Sequence, residues 1–252
     1  MPVFSLKGRV GLVTGSSRGI GRAIATELAG AGARLALHGR RVTPELRLLA
    51  RSFSRSAGPS RAFGGDLSNP AAVKRLLRQV GRWSPRLDFV VANAGVYAGT
   101  PSPEVTESVW DDMLGINLRG SFRAVQCALP LLQQSTHAAV VLVSSILAAR
   151  ASPGGIPYQA SKAGIEQMGR ALAVELAPRI RVNVVAPGFI RTDMNRPGHE
   201  DPTFRRQVEM ATPLARWGEA EDVAPAVRFL LSEEASWITG SVLLIDGGLG
   251  LE

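Results

Sequence analysis

One stretch decides the fold: Arg9-Val-Gly-Leu-Val-Thr14-Gly15-Ser-Ser-Arg18-Gly19-Ile20-Gly21-Arg-Ala-Ile-Ala-Thr-Glu-Leu28. It begins with a short apolar run of the length that a buried strand needs, and it ends with apolar residues at helical spacing. Three glycines separate the two patterns. A strand that turns tightly into a helix is the first half of a βαβ unit, so the stretch predicts a sheet of parallel strands.

The same alternation continues along the chain. Apolar or β-branched runs lie at 9–14, 34–38, 87–92, 139–144, 180–185 and 242–245, with a weaker run near 60–63. Helical patterns lie at about 19–31, 44–56, 70–82, 106–134, 156–177 and 220–232. This order predicts an α/β chain: a single-domain, doubly wound Rossmann fold over residues 1–252, with helices on both faces of a parallel seven-stranded sheet.

One segment before the last predicted helix has no clear period. It spans about 191–218 and contains Pro197, Gly198, Pro202 and Pro213. Its large apolar side chains are Met194, Phe204, Met210, Leu214 and Trp217. We expect this segment to cover a substrate, although packing within the fold or against another copy would also account for these side chains.

The glycine turn suits a phosphate group. Gly15, Gly19 and Gly21 would let a ligand approach the backbone where the N–H groups of a helix N-terminus are free to bind a pyrophosphate. The spacing is not G-x-G-x-x-G, so a glycine turn without a ligand is the alternative. We interpret the turn as a dinucleotide site because a strand and a helix flank it in the required order.

The end of the second predicted strand bears on which dinucleotide binds. An NAD site normally has an acidic residue there to bind the ribose hydroxyls. This strand ends instead in Leu37-His38-Gly39-Arg40-Arg41. Guanidinium groups would bind a 2′-phosphate, and Arg18 could approach it from the glycine turn. The pattern therefore predicts NADP(H), with ordinary surface charges at Arg40 and Arg41 as the alternative.

Tyr158 and Lys162 would lie one turn apart on the same face of a helix. A phenol titrates near pH 10 in water. An ammonium about 4 Å away, at an effective dielectric of about 20, favours the phenolate by roughly 4 kcal/mol, or about three pKa units. The pair is therefore a candidate for proton transfer near neutral pH, although two solvated side chains would give the same pattern.

Other small or polar residues follow the predicted strands. Asp66-Leu67-Ser68 would reach an adenine or would cap the next helix. Asn93-Ala94-Gly95 would let the backbone approach a ribose, and Ser145 ends the fifth strand thirteen residues before Tyr158. The carboxyl edge of the sheet is where open α/β folds bind ligands, so we expect these residues to share one site.

These pieces together resemble the short-chain dehydrogenase/reductase family over essentially the whole chain. The motifs occur in the family's order: Thr14-Gly-x-x-x-Gly-x-Gly21, Asn93-Ala-Gly95, Asn117, Ser145, Tyr158-x-x-x-Lys162, Pro187-Gly188 and Thr192. The C-terminal part, which includes Ile245-Asp-Gly-Gly248, is similar to the branch of 3-oxoacyl-acyl-carrier-protein reductases. Ala92 departs from the family, which often has a second asparagine there.

The resemblance implies an NADP(H)-dependent oxidoreductase that interconverts a carbonyl and a secondary alcohol. Tyr158 would exchange the proton, and Lys162 would lower its pKa and bind the nicotinamide ribose. Ser145 would polarise the substrate oxygen, and Asn117 would hold a water that links Lys162 to solvent. The expected cofactor-binding residues are Gly15, Ser17, Arg18, Gly19, Ile20, Gly21, Arg40, Arg41, Asp66, Leu67, Asn93, Ala94, Gly95, Tyr158, Lys162, Pro187, Gly188, Ile190 and Thr192.

Composition sets broad limits on partners. The 252 residues are 45% hydrophobic and 20% charged, which is typical of a globular domain. The formal net charge of +8 comes almost wholly from arginine, but the arginines are scattered and only 6% of residues are aromatic, so we expect no nucleic-acid partner. No apolar run is long enough for a bilayer, the N-terminus does not resemble a signal peptide, and the single cysteine, Cys127, suits a reducing compartment. We expect a cytoplasmic protein with no membrane partner and, because its histidines are dispersed, no metal site.

Two other functions are compatible with the same fold. A non-catalytic NADP-binding sensor or regulatory protein is the main alternative, and a basic nucleic-acid-binding protein is the third. Asn117, Ser145, Tyr158 and Lys162 favour the enzyme, because a protein that only binds a dinucleotide has no use for all four. We expect a small-molecule carbonyl or alcohol as substrate. The resemblance also implies a homotetramer or homodimer that pairs through the helices at 106–134 and 156–177 and the last strand.

Overall fold

The computed structural model describes residues 4–53 and 59–251. The strands are β1 (Val10–Val13), β2 (Arg34–Gly39), β3 (Arg61–Gly64), β4 (Phe89–Ala92), β5 (Ala138–Val143), β6 (Ile180–Pro187) and β7 (Val242–Ile245). They form one sheet in the order β3-β2-β1-β4-β5-β6-β7, and all neighbouring strands are parallel. The predicted α/β doubly wound sheet is confirmed, and the weak run near 60–63 is its edge strand β3.

The helices lie between the strands as predicted. They are α1 (Gly19–Gly30), α2 (Pro44–Phe53), α3 (Pro70–Trp83), α4 (Glu107–Met113), α5 (Ser121–Leu132), α6 (Ile156–Leu176), α7 (Arg196–Glu200), α8 (Pro202–Ala211) and α9 (Ala220–Leu231). The helix predicted at 44–56 is described only as far as Phe53, and residues 54–56 lie outside the described residues. None of the helices described combines the length and the apolarity needed to cross a membrane.

Helices cover both faces of the sheet. One apolar cluster joins α1, α2 and α9 to the sheet through residues such as Leu28, Leu46 and Val227. A second cluster joins α3, α5 and α6 to the other face through Leu76, Val125 and Ile165, among others. The central strands β1, β4 and β5 are buried along their whole length. Because both of their faces are covered, they read in the sequence as continuous apolar runs.

The single helix predicted at 106–134 is divided in the structure. Helices α4 and α5 flank a π-helical turn, Leu114–Gly120. Asn117 in this turn is fully buried, and its amide pairs with both backbone groups of Val96, at 2.8 Å to the N–H and 3.0 Å to the carbonyl. This tertiary contact stabilises the turn, so the apolar period alone could not reveal it. Such turns often occur at functional sites.

The segment 191–218 is compact and mostly helical. It contains α7 and α8, each with a proline in its first turn. Its two ends meet where the N–H of Arg191 donates to the carbonyl of Gly218 at 2.9 Å. Trp217 is buried inside it and packs against Phe189 and Phe204, with ring centres 5.3 and 6.1 Å away. The two helices have only five and ten residues, which is too short for a clear period in the sequence.

The strand order reverses at β1. Strand β1 lies between β2 and β4, so the chain crosses over in opposite directions after these strands. A reversal of this kind opens a crevice at the carboxyl edge of the sheet. The glycine turn follows β1, and Asn93 follows β4, so both lie at the rim of this crevice.

Candidate active site

A groove with a volume of about 400 Å³ opens at the carboxyl edge of the sheet. This volume is within the range of small-molecule sites. Its wall contains most of the predicted site residues: Gly15, Ser17, Arg18, Gly19, Ile20, Gly21, Arg40, Asp66, Leu67, Asn93, Ala94, Gly95, Ser145, Tyr158, Lys162, Pro187, Gly188, Ile190 and Thr192. Two predicted residues of the described chain, Asn117 and Arg41, are not part of the wall.

The glycine turn forms one end of the groove. Gly15 and Gly19 have φ angles of +65° and +53°, which favour glycine. A Cβ at Gly15 would lie 2.9 Å from the Cα of Ala94, so the turn also needs the space that glycine leaves. No described side chain caps the start of α1, and its first N–H groups are therefore suited to bind a phosphate.

The end of β2 favours a cofactor with a 2′-phosphate. Gly39 stands where an NAD site has its carboxylate, and a Cβ there would lie 3.0 Å from the carbonyl oxygen of Arg41 and 3.3 Å from the side chain of Leu46. A larger side chain would therefore require these neighbours to shift. Arg18 and Arg40 both line this part of the groove, whereas Arg41 is exposed beside it.

Asp66 lies in the groove and does not cap the next helix. Its carboxylate accepts hydrogen bonds from the hydroxyl and the N–H of Ser68, at 2.7 and 2.9 Å. The Ser68 hydroxyl is the main reason that the pKa of Asp66 is below its usual range, and nearby Arg40 and His38 lower it further. Helix α3 is capped by Asn69, whose side chain accepts two N–H bonds of the first turn. The capping alternative for Asp66 is therefore wrong.

Helix α6 brings Tyr158 and Lys162 to the other end of the groove. The Lys162 ammonium is buried, lies 5.5 Å from the centre of the Tyr158 ring, and donates to the carbonyl of Val143 at 2.9 Å. Ser145, just after β5, lies close enough to Tyr158 to lower the pKa of the phenol. The ring of Tyr97 packs edge-to-face on Tyr158, with ring centres 5.1 Å apart. The side chains predicted to act together are therefore adjacent.

The predicted pKa of Tyr158 is wrong in direction. Burial raises the pKa of Tyr158 to about 12, although the hydrogen bond with Ser145 partly opposes this shift. Burial also lowers the pKa of Lys162 to about 8. Burial removes the water that would stabilise a phenolate, and the Lys162 ammonium is bound to the carbonyl of Val143. At neutral pH Tyr158 therefore holds its proton, which is the form that a general acid needs.

Buried polar side chains fix the start of α6. The hydroxyl of Ser144 donates to the carbonyl of Lys162 at 3.0 Å. The amide of Asn117 donates to the hydroxyl of Ser161 at 3.1 Å, in addition to its bonds with Val96. Ser144 is thus directed into the protein. The water-binding role expected for Asn117 stays a prediction, and its side chain connects the π-helical turn to α6.

The loop after β6 lines the groove beside the glycine turn. Thr192 donates to the side-chain oxygen of Asn195 from both its N–H and its hydroxyl, each at 3.1 Å. The amide nitrogen of Asn195 in turn donates to the carbonyl of Ile190 at 2.7 Å. A Cβ at Gly19 would lie 3.3 Å from the methyl group of Thr192. Asn195 therefore holds Thr192 at the rim.

Further residues, which the sequence motifs did not assign to the cofactor, also line the groove. They are His38, Gly39, Gly65, Val96, Ile116, Val143, Ser144, Asp193, Met194 and Asn195. Several of them stand at the carboxyl ends of strands, which was the signal in the sequence that could have identified them. The others reach the groove from the π-helical turn and from the loop after β6, and only the tertiary structure brings them there.

The residues present fit NADP(H). The glycine turn offers uncapped N–H groups. Arg18 and Arg40 line the groove near the end of β2, which lacks the carboxylate of an NAD site. Gly95 has no side chain, so the space beside the Lys162 ammonium stays open. A Cβ at Gly95 would come within 3.7 Å of that ammonium. Within ranges 4–53 and 59–251, no group of three or more His, Cys, Asp or Glu side chains is arranged to hold a metal ion.

The chain is similar to known reductase sequences over nearly its whole length. Residues 15–250 match the family model described as enoyl-(acyl carrier protein) reductase. The chain is 35% identical to the 3-oxoacyl-[acyl-carrier-protein] reductase FabG of Staphylococcus aureus over 239 residues, which cover 94% of this chain and 96% of that protein. It is 34% identical to FabG of Escherichia coli K12, with coverage of 98% and 99%.

Two solved structures are similar to this chain over nearly its whole length. The RhlG/NADP active-site complex of Pseudomonas aeruginosa has a TM-score of 0.93 and 36% identity, and the match covers 99% of both chains. A gluconate 5-dehydrogenase from Burkholderia cenocepacia, solved with NADP and tartrate, has a TM-score of 0.94 and 29% identity, with coverage of 99% and 98%.

Proposed function

The chain belongs to the short-chain dehydrogenase/reductase family and is an NADP(H)-dependent oxidoreductase, and we propose that it interconverts a carbonyl and a secondary alcohol with Tyr158 as the acid/base. One observation carries the proposal: Tyr158 and Ser145 line the same groove, and the buried ammonium of Lys162 lies 5.5 Å from the centre of the Tyr158 ring. These are the groups that carbonyl reduction requires.

In the reductive direction, the hydroxyls of Tyr158 and Ser145 hold the carbonyl oxygen. NADPH, when bound, supplies the hydride for the carbonyl carbon. Tyr158 gives its proton to the oxygen, and Ser145 stabilises the negative charge that develops there. The ammonium of Lys162, 5.5 Å from the ring centre, stabilises the phenolate that remains. The role of Lys162 is therefore to stabilise Tyr158 once it has lost its proton, since the pKa of Tyr158 is high before the reaction.

The cofactor-binding residues divide into three groups along the groove. The glycine turn and the start of α1 would hold the pyrophosphate, and Arg18 and Arg40 would hold the 2′-phosphate, with Arg41 retained as a weaker candidate. The remaining candidates would contact the adenine, the nicotinamide ribose and the nicotinamide: Asp66, Leu67, Asn93, Ala94, Gly95, Lys162, Pro187, Gly188, Ile190 and Thr192. All of these except Arg41 line the same groove.

We infer that the substrate is a small carbonyl compound covered by the segment 191–218. Met194 of this segment lines the groove, and the rings of Tyr97 and Tyr158 are packed together. Most arginines of the segment are ion-paired, which makes them less available to an acidic substrate carrier. The pairs are Arg191 with Glu219, Arg196 with Asp193, Arg205 with Glu209, and Arg216 with Asp222. Of the similar proteins named above, two are named as 3-oxoacyl-[acyl-carrier-protein] reductases and one as a gluconate 5-dehydrogenase.

A homotetramer or homodimer is proposed from the exposed apolar side chains near the edge of the sheet. Trp237 is 99% exposed and Val174 is 83% exposed, and Leu243 and Leu244 of β7 are also exposed. A Cβ at Gly240 would contact Ala173, so the Trp237 loop and the end of α6 are neighbours. Exposed apolar side chains near an open sheet edge suit contact with a second copy. A cytoplasmic location stays a prediction.

The proposal is tested by NADPH consumption with a panel of ketones, quinones and 3-oxoacyl thioesters. We expect turnover by the wild type and a loss of at least about a hundredfold in kcat for Tyr158→Phe, because the proton donor is removed while the ring remains. Tyr97→Phe is the matched control, since the chain has only two tyrosines, and it should keep most of the turnover. Near-normal turnover by Tyr158→Phe would contradict the proposed role. Tight NADPH binding without turnover of any substrate would favour the sensor.

A further inference from the structure

His38 is a buried histidine that the proposed reaction does not use. It stands at the carboxyl end of β2, is 2% exposed, and lines the groove. Its ring bridges two loops that follow different strands. The Nδ1 atom accepts a hydrogen bond from the N–H of Gly15 at 3.3 Å, and the Nε2 atom lies 2.8 Å from the carbonyl oxygen of Gly65.

These two contacts determine the tautomer of the ring. A backbone N–H can only donate, so Nδ1 carries no proton. A carbonyl can only accept, so Nε2 carries the proton. The ring is therefore neutral, and burial lowers the pKa of His38, although the bond to Gly65 and the charge of Asp66 partly oppose that shift. A protonated ring would lose its bond with Gly15.

Both partners of the ring line the cofactor groove, and they belong to two different loops. Gly15 opens the glycine turn, and Gly65 is joined to Asp66 by a peptide whose carbonyl and N–H point in opposite directions. The bond to His38 therefore also sets the direction of the Asp66 N–H. The backbone of His38 adds two hydrogen bonds to the glycine turn. The N–H of Ser16 donates to the His38 carbonyl, and the His38 N–H donates to the Ser16 hydroxyl, each at 2.9 Å.

We propose that His38 is a positioning residue for NADP(H): its neutral ring holds the glycine turn and the Gly65–Asp66 loop at the separation that the dinucleotide requires. The proposal rests on the cofactor site described under the proposed function. Without the ring, binding must first order two independent loops, and this lowers affinity. The ring's partners follow β1 and β3, whereas Ser145 and Tyr158 are placed by β5 and α6, so the loss should appear in cofactor binding and not in kcat.

Three substitutions separate the two ring contacts. His38→Phe removes both, His38→Asn keeps an acceptor near the position of Nδ1, and His38→Gln keeps a donor near the position of Nε2. His137→Asn is the matched control, because His137 is a half-exposed histidine beside Glu233. The measurements are the Kd of NADP+ by calorimetry, the KM for NADPH, kcat at saturating NADPH, and Tm.

We expect His38→Phe to raise the Kd and the KM by about tenfold, the combined effect of losing two hydrogen bonds to the backbone, with kcat within about twofold of wild type. His38→Asn and His38→Gln should each recover part of the affinity, and His137→Asn should match the wild type. Nitrogen NMR of the wild type should find His38 protonated only at Nε2 near neutral pH.

Several outcomes would overturn the proposal. One is a Kd for all three His38 variants within about twofold of wild type. Another is an equal loss of affinity in all three variants together with equally lowered Tm, which would indicate a packing role alone. A proton on Nδ1, or a fall in kcat with an unchanged KM for NADPH, would also contradict it. A wild type that does not bind NADP+ would instead refute the proposed cofactor site.

Discussion

The substitution Arg40→Asp tests the choice of cofactor most directly. Arg40 is exposed at the rim of the groove, follows the glycine at the end of β2, and lies close enough to Asp66 to lower the pKa of that carboxylate. An aspartate there would reverse the charge that we assign to 2′-phosphate binding. It would also supply the carboxylate that NAD sites normally place near this point.

The magnitude follows from the charges. A phosphate monoester carries about −1.5 to −2 charges near pH 7. Two unit charges about 5 Å apart in water interact by roughly 0.8 kcal/mol. The substitution changes the charge by two units, so the interaction becomes less favourable by roughly 3 kcal/mol, and salt screening reduces this to roughly 1.5 kcal/mol. We therefore expect the KM for NADPH to rise by at least about tenfold.

The assay compares NADPH with NADH as the reductant for the same carbonyl substrate. NADH has no 2′-phosphate, so its KM should change by less than about threefold or should fall. Arg41→Asp is the control, because it makes the same change in net charge at the next exposed residue, outside the groove wall. It should leave the preference for NADPH nearly unchanged.

Two results would refute this reasoning. The first is an equal rise in KM for NADPH and NADH in Arg40→Asp, because an effect on both cofactors cannot come from the 2′-phosphate. The second is an equal loss of NADPH preference in Arg40→Asp and Arg41→Asp, because that would indicate a general effect of net charge. In either case Arg18 would become the leading candidate for the 2′-phosphate.

Three other predictions concern stability and assembly. Lys162→Met should abolish turnover but raise Tm by several degrees at pH 7 in calorimetry, because it removes a buried charge. The gain in Tm should shrink as the pH rises above about 8, where the native lysine loses its proton, and an unchanged gain at pH 10 would contradict this. Gly21→Ala should lower the free energy of unfolding by roughly 1–3 kcal/mol in denaturant titrations and weaken NADPH binding, because its Cβ would lie 2.3 Å from the Asn93 amide and from the Gly15 carbonyl oxygen. Gly30→Ala, in the same helix with no atom within 4 Å of its Cβ, should be neutral or stabilising, and equal effects of the two substitutions would count against the packing argument. Trp237→Asp should lower the mass found by sedimentation velocity, and an unchanged mass would argue against the proposed contact at the sheet edge.

Most of the fold could be predicted because its signals are local. Strands buried on both faces read as continuous apolar runs, and helices that cover a sheet show a 3.6-residue period. The short elements were less visible: β3 has four residues, and α7 has five. The π-helical turn could not be predicted, because it depends on the pairing of Asn117 with Val96, a residue 21 positions away in the sequence.

The positions of the site residues also followed from the sequence, since parallel strands bring their carboxyl ends to one edge. The roles of some neighbours did not. His38 was one of three dispersed histidines until the fold placed its ring between Gly15 and Gly65. Helix α3 is capped by Asn69, three residues after Asp66. The sequence pattern does not contain the local geometry that decides which of the two side chains caps the helix.

The sequence by itself determined which residues reach the carboxyl edge of the sheet, because periodicity and chain order are local properties. Only the tertiary structure decided how those residues ionise. The pKa of Tyr158 depends on the loss of water through burial, on the hydrogen bond with Ser145 and on the electrostatic interaction with Tyr97, and these groups belong to different elements of the fold. A pair separated by four residues specifies a face of a helix, but the solvent around that face is set by the other elements of the fold.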